Sequence, residues 1–246
     1  MQGQSECLSE CVAVKDAFEY KFLTDSLSPL KNPVGEDITY EYGTGYPYNV
    51  NVSAPGWRQK HALGSACYGH TNLVPSFCRA YVAGTGRQAV AVHAAKGSTE
   101  IKDWLPGTLL YEALKKKSLT AINKCKPEHI YFAWLQGESD AIAAVKKDDY
   151  KKMLRELCDA LKSDLGIERF GIIRVGYFTK DARDEQIILA QSEICEEDED
   201  FLMLTDIATT LNGMPEYMHP TIGGHFSAKG LEALGKVAGE ALALLK

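Results

Sequence analysis

Four short stretches hold the residue types from which hydrolytic sites are assembled. Gly3-Gln4-Ser5 stands near the start, and Gly97-Ser98-Thr99-Glu100-Ile101-Lys102-Asp103-Trp104 follows at mid-chain. Trp134-Leu135-Gln136-Gly137-Glu138-Ser139-Asp140 offers an amide, a hydroxyl and two carboxylates. His225-Phe226-Ser227 precedes Gly230 near the end. Hydroxyls, an imidazole, carboxylates and glycines that admit a backbone N–H close to a ligand make up the composition of an active-site rim.

The elements between these stretches place them on one edge. Ser76 to Val82 reads as a helix and residues 88–93 as a buried strand. Leu109 to Lys124 is a helix with Lys115, Lys116 and Lys117 on its solvated side, and residues 129–135 form a strongly apolar strand. Asp148 or Asp149 caps a helix whose Tyr150, Leu154, Leu157, Leu161 and Leu165 recur at spacings of four and three, and Gly166 stops it. Phe170 to Phe178 reads as a strand, Glu185 to Ile194 as a helix and Phe201 to Thr205 as a strand. A last helix carries Leu231, Leu234, Val237, Ala241, Leu242 and Leu245, and the run Glu196 to Asp200 is a solvated turn. Apolar strands alternating with helices imply a parallel sheet covered on both faces, a three-layer αβα sandwich of flavodoxin-like type. In such a sheet ligands bind beyond the carboxyl ends of the strands, where Gly97, Gln136, Glu138, Asp206, His219 and His225 all fall. Residues 29–72 are rich in Pro, Gly, Asn and Tyr without a sustained period and read as a long loop. No linker divides the chain, so residues 1–246 are expected to form one domain.

Composition narrows the function classes. The 246 residues carry 27 Lys and Arg against 33 Asp and Glu, a formal charge of −6 that argues against a nucleic-acid partner. No stretch approaches the ~20 apolar residues of a membrane helix, and the start shows no signal-peptide pattern. The seven cysteines contain no C-x-x-C pair and read as reduced thiols of a cytoplasmic protein. Cys7 and Cys11 lack a second pair that would make them metal ligands. Asn51-Val52-Ser53 is a glycosylation sequon with nothing to direct its use.

In their order along the chain, the four stretches resemble the sialate O-acetylesterase and acetylxylan esterase branch of the SGNH hydrolase superfamily, also called carbohydrate esterase family six. Trp-x-Gln-Gly-Glu-Ser-Asp is the most specific element. The resemblance implies the SGNH hydrolase fold and a serine esterase that removes acetyl groups from a carbohydrate through an acetyl-serine intermediate, without metal or organic cofactor. Its partner is then a small-molecule or oligosaccharide acetyl ester. By the same resemblance Ser5 is the nucleophile and His225 the general base, and the oxyanion is bound by the Ser5 and Gly97 backbone N–H groups and the Gln136 side chain.

Several alternatives stay open at this level. Many SGNH hydrolases place an Asp three residues before the catalytic His, where this chain has Ile222, so Glu138 is either the orienting acid or a structural carboxylate. Glu216 stands three residues before His219 and imitates the usual spacing, yet Phe226, Ser227, Gly230 and Gly235 register on His225. Asp140 reads as structural, and His61, His70, His93 and His129 as ordinary histidines. Glu6 follows Ser5 where Asn is common, and no apolar strand precedes Gly3. Two further readings stay open: an SGNH esterase for another small ester or a lysolipid and, favoured by these departures, a catalytically impaired carbohydrate-binding protein. Tyr40, Tyr42, Tyr46, Tyr48 and Trp57 fit either a sugar-binding face or loop packing.

Overall fold

The structure, a computed structural model, describes residues 12–35, 71–220 and 223–245. Ser5, Glu6, Cys7, Cys11, Cys67, His61, His70, Asn51, Ile222 and the aromatic residues 40–57 lie outside them. The elements are β1 Ala17–Lys21, β2 Ser26–Pro29, α1 Val74–Thr85, β3 Ala89–Ala91, α2 Leu109–Cys125, β4 Tyr131–Trp134, α3 Glu138–Ile142 and α4 Lys147–Leu165. There follow β5 Arg169–Ile173, α5 Ala182–Glu197, β6 Phe201–Thr205, α6 Ala208–Leu211 and α7 Ala228–Leu242. Single 3-10 turns cover Ile101–Trp104 and Pro215–Tyr217.

Two half-sheets form the middle layer. One has the order β2-β1-β3 and the other β4-β5-β6. The pairs β1–β3, β4–β5 and β5–β6 are parallel, as the apolar runs imply, while β1 and β2 form an antiparallel hairpin. Among the described residues β3 pairs only with β1, and β4 only with β5. Between these two strands runs a cavity of about 1000 Å³, with residues from both along its walls. Val90 and Ala133, in strands that read as fully buried, are accordingly exposed toward it.

Helices cover the sheet in two groups. On one side α2, α4 and α5 pack in sequence, and α4 buries Tyr150, Leu154, Leu157, Leu161 and Leu165 on a single stripe. On the other, α1 and α7 lie against each other and α7 reaches β5 and β6. That second contact is backbone-close. A Cβ on Gly235 would lie 2.4 Å from the Leu73 carbonyl oxygen, and one on Gly239 2.1 Å from that of Phe77.

Local chemistry corrects four details. Lys117 is buried, near enough to Glu19 for its charge to favour that carboxylate, so only Lys115 and Lys116 belong to the solvated side. Glu196 and Glu197 end α5, and the acidic run is paired: Asp198 and Asp200 with Arg155, Asp200 also with Lys162. The α4 N-cap is Lys146, with Asp148 and Asp149 inside the first turn where carboxylates favour the positive end of the helix. The strands expected over 88–93 and 170–178 are shorter, because residues beyond Ala91 and Ile173 leave the ladder for the rim.

Close approach of α1 and α7 yields a stability test. Gly239→Ala should lower the free energy of unfolding in urea by about 1–2 kcal/mol, overpacking outweighing the better helix propensity of Ala. Gly213→Ala, whose new methyl would lie 3.6 Å from the nearest neighbour, should change it little. An unshifted midpoint for Gly239→Ala would show that the helices can part freely.

Candidate active site

Sequence reasoning placed Gly97, Gln136, Glu138 and His225 on one rim, and all four line the cavity between the half-sheets. Ser5 falls outside the described residues. Asp206 does not line the cavity; it is exposed, 3.7 Å from Arg174.

His225 is held by the segment that leads into α7. His219 donates its backbone N–H to the His225 carbonyl at 2.7 Å, and Ser227 donates its own to Tyr217 at 2.8 Å. Ser227 then caps α7 by accepting from the Gly230 N–H. Buried Phe226 anchors the strip between these bonds. The imidazole is half-buried, with the Phe178 ring 6.3 Å from it. Gly224 has φ +77°, and a Cβ there would lie 2.4 Å from Phe178, so this approach requires glycine. Phe178 is fixed in turn by Asp184, whose buried carboxylate accepts the N–H groups of Phe178, Thr179 and Lys180. His219, the competing histidine, is buried, and Glu216 points to Lys229 at 3.8 Å rather than to a histidine.

The opposite wall is a polar network centred on Gln136. Its side-chain N–H groups face the Thr99 carbonyl at 2.9 Å and the Asp140 carboxylate. The Tyr150 hydroxyl lies 2.9 Å from the Gln136 carbonyl and 3.1 Å from its Oε1, and Gln191 Nε2 donates to the same carbonyl at 2.8 Å. The side-chain amide expected to meet an oxyanion therefore already serves two protein acceptors. Thr99 closes the Gly97 turn by donating its hydroxyl to the Lys96 carbonyl and accepting from the Trp104 indole. Ser98 sits at φ +60°, a left-handed conformation that non-glycine residues adopt at a cost. Trp104 and Trp134 meet edge to face at 6.0 Å.

Two carboxylates on α3 differ sharply. Asp140 is fully buried and accepts from the Ile101 N–H at 3.0 Å. Burial pushes its pKa up to about 7 against the pull of the Gln136 and Ile101 hydrogen bonds, and Glu100 and Asp103 push it further in the same direction. Glu138 lines the cavity and makes no hydrogen bond or ion pair among the described residues. His93, also at the cavity, is buried with its Nε2 3.3 Å from the Asn72 amide. Among the described residues no group of three His, Cys, Asp or Glu is placed to hold a metal ion, and no helix is long and apolar enough to cross a membrane.

Tyr150 and Gln191 escaped the sequence reading as site residues. A tyrosine at helical spacing reads as core. Gln191, however, interrupts the buried stripe of Ile187, Ile188, Ala190 and Ile194, and a polar residue at such a position announces a partner.

Burial, followed by the nearby charge of His219, lowers the His225 pKa below the ordinary 6.5. Its ring should therefore titrate below pH 6.5 when followed by NMR of the imidazole protons. A midpoint above 6.5 would place the ring in a setting unlike the half-buried one described.

Residues 67–243, more than half of the chain, match the family described as carbohydrate esterase, sialic acid-specific acetylesterase. A protein of Arabidopsis thaliana named a probable carbohydrate esterase is 33% identical over 109 residues. The match spans 42% of this chain and 41% of that one, about two fifths of the relative's length. The X-ray structure of the same plant protein superimposes with a TM-score of 0.66 at 16% identity, covering 97% of this chain and 84% of that one. Two further crystal structures share the fold. NanS has a TM-score of 0.54 at 12% identity over 98% of this chain and 93% of its own. The lipase/acylhydrolase of Enterococcus faecalis has 0.50 at 18% over 70% and 84%. With the α/β sheet and its rim in place, the extent of the family match decides the matter: this chain belongs to the sialic acid-specific acetylesterase family of carbohydrate esterases.

Proposed function

We propose that the protein hydrolyses acetyl esters on carbohydrates through an acetyl-Ser5 intermediate. The observation that carries this reading is the convergence of Gly97, Gln136, Glu138 and His225 on one cavity. His225 takes the Ser5 hydroxyl proton as Ser5 Oγ attacks the acetyl carbonyl carbon. The tetrahedral oxyanion accepts from the Gly97 and Ser5 backbone N–H groups, and the sugar hydroxyl leaves with the proton held by His225. Water, deprotonated by the same imidazole, then releases acetate and restores Ser5. A base with a lowered pKa is neutral, and so able to accept a proton, through the neutral range. Gln136 serves by bracing the Gly97 turn, and through its amide wherever that amide can be freed toward the oxyanion. Glu138 is the carboxylate that answers the imidazolium.

A second reading, a carbohydrate-binding protein without turnover, draws on one observation. Among the described residues no carboxylate hydrogen-bonds the His225 ring. A serine-directed phosphonate separates the two, because a binding protein gives Ser5 no reason to be labelled.

Acetate release from O-acetylated sialic acid, from acetylated xylan and from p-nitrophenyl acetate tests the proposal, with a longer acyl ester beside them. The wild-type protein should prefer acetyl substrates. Ser5→Ala and His225→Ala should each abolish nearly all turnover, and the double variant should be barely worse than either, since members of one catalytic unit are not additive. His219→Ala should retain activity. Inactivation by His219→Ala with an active His225→Ala would move the base to His219 and the orienting role to Glu216.

A further inference from the structure

Gln136 is gripped from two ends by side chains that reach it from different elements. Asp140 on α3 takes its amide N–H, and the Tyr150 hydroxyl on α4 lies against both of its oxygens. Asp140 also accepts from the Ile101 N–H, and Gln136 also donates to the Thr99 carbonyl. These bonds fasten the turn holding Gly97 at two points, both within four residues of the glycine. We propose that Asp140 is a positioning residue for ester hydrolysis: through Gln136 and Ile101, and backed by Tyr150, it holds the Gly97 turn where its backbone N–H can meet the oxyanion. The inference rests on the esterase reading above.

Stability alone does not explain a carboxylate at this position. Among the described residues Asp140 has no salt-bridge partner, and the charged groups around it are Glu100, Lys102 and Asp103 at the 3-10 turn and Glu138 on its own helix, with the Tyr150 hydroxyl facing it from α4. Its folded pKa lies well above the unfolded value near 3.8, so the native state binds the proton more tightly. The resulting penalty is absent at pH values below the unfolded pKa, grows as pH rises between the two values, and is complete above about 7. Both donors fall on one carboxylate oxygen, Oδ2, with Oδ1 a further 3.3 Å contact of the Ile101 N–H. A neutral Asn escapes the penalty and can accept both donors through its one oxygen, whereas Ala offers no acceptor, so the Ala change is the one that frees the turn.

The experiment compares wild type, Asp140→Ala, Asp140→Asn, Tyr150→Phe, Gln136→Ala and the pair Asp140→Ala/Gln136→Ala with p-nitrophenyl acetate at pH 8, with thermal unfolding alongside. Asp140→Ala should lose about 10–100-fold in kcat with KM within about two-fold, the scale of a misplaced reacting group. Asp140→Asn, whose one oxygen can accept both donors, should recover most of that loss, with an unfolding midpoint at pH 8 no lower than that of wild type. The double variant should be little worse than Gln136→Ala, because both changes release the same turn. An unchanged kcat in folded Asp140→Ala overturns the proposal, as does a loss of kcat that simply follows a lowered unfolding midpoint. If Asp140→Ala does not fold, Tyr150→Phe decides: a reduced kcat at constant KM supports the grip on Gln136, and an unchanged one overturns it. An active wild type with unaffected variants removes this inference alone, whereas an inactive wild type removes the esterase reading and this inference together.

Discussion

The hydrogen bonds from the Gln136 amide to the Thr99 carbonyl and from the Ile101 N–H to the Asp140 carboxylate tie the segment after β3 to the segment after β4. Among the described residues the β3 and β4 edges share no ladder, and the contacts seen between the halves are of other kinds. At the rim there are the Gln136–Thr99 and Asp140–Ile101 bonds and the edge-to-face pair of Trp104 and Trp134. On one side, α7 bears on β5 and β6 while its glycines lie against α1, which itself packs on β1 and β3. The rim network is thus at once the wall of the cavity and a tie between half-sheets, and buried polar bonds suit that double task because they tolerate little displacement.

This arrangement explains which parts of the fold were legible in sequence. Phe201 to Thr205 and the core of residues 129–135 declared themselves as unbroken apolar runs, and the α4 stripe by its spacing. The β1–β2 hairpin did not, because Ala17-Phe18-Glu19-Tyr20-Lys21 puts Glu19 into the interior, where Gly35 and Lys21 satisfy it at 2.8 and 2.7 Å. A buried carboxylate with a partner sixteen residues away leaves no local signature. Lys117 misleads for the same reason: it lies in a run of three lysines and yet turns inward.

The site follows the same division. Gly97, Gln136, Glu138 and His225 could be found because each stands just beyond a strand or in the loop before the last helix. The residues that hold them could not, since their roles depend on contacts across elements. Asp184, outwardly one more acid in the first turn of a helix, closes three N–H groups under Phe178, and Phe178 supports His225. Tyr150 packs as a core residue and spends only its hydroxyl on Gln136. The polar tip of a buried side chain is where periodicity stops being informative.

Asp140 and Glu138 show how one helical turn can separate two carboxylates by environment. Asp140 is enclosed, held by two N–H groups and kept from ionising easily; movement would break both loops it joins. Glu138 lines the same cavity as His225 and is held by no hydrogen bond among the described residues, which is why the proposed mechanism gives it, and not Asp140, the part of answering the imidazolium. A neutral imidazole in a half-buried setting has little need of a carboxylate, whereas the imidazolium formed during ester attack is costly there without one. On the proposed mechanism, Ile222 in place of an Asp changes only the route by which negative charge reaches the base: from the end of β4 rather than from the loop before α7.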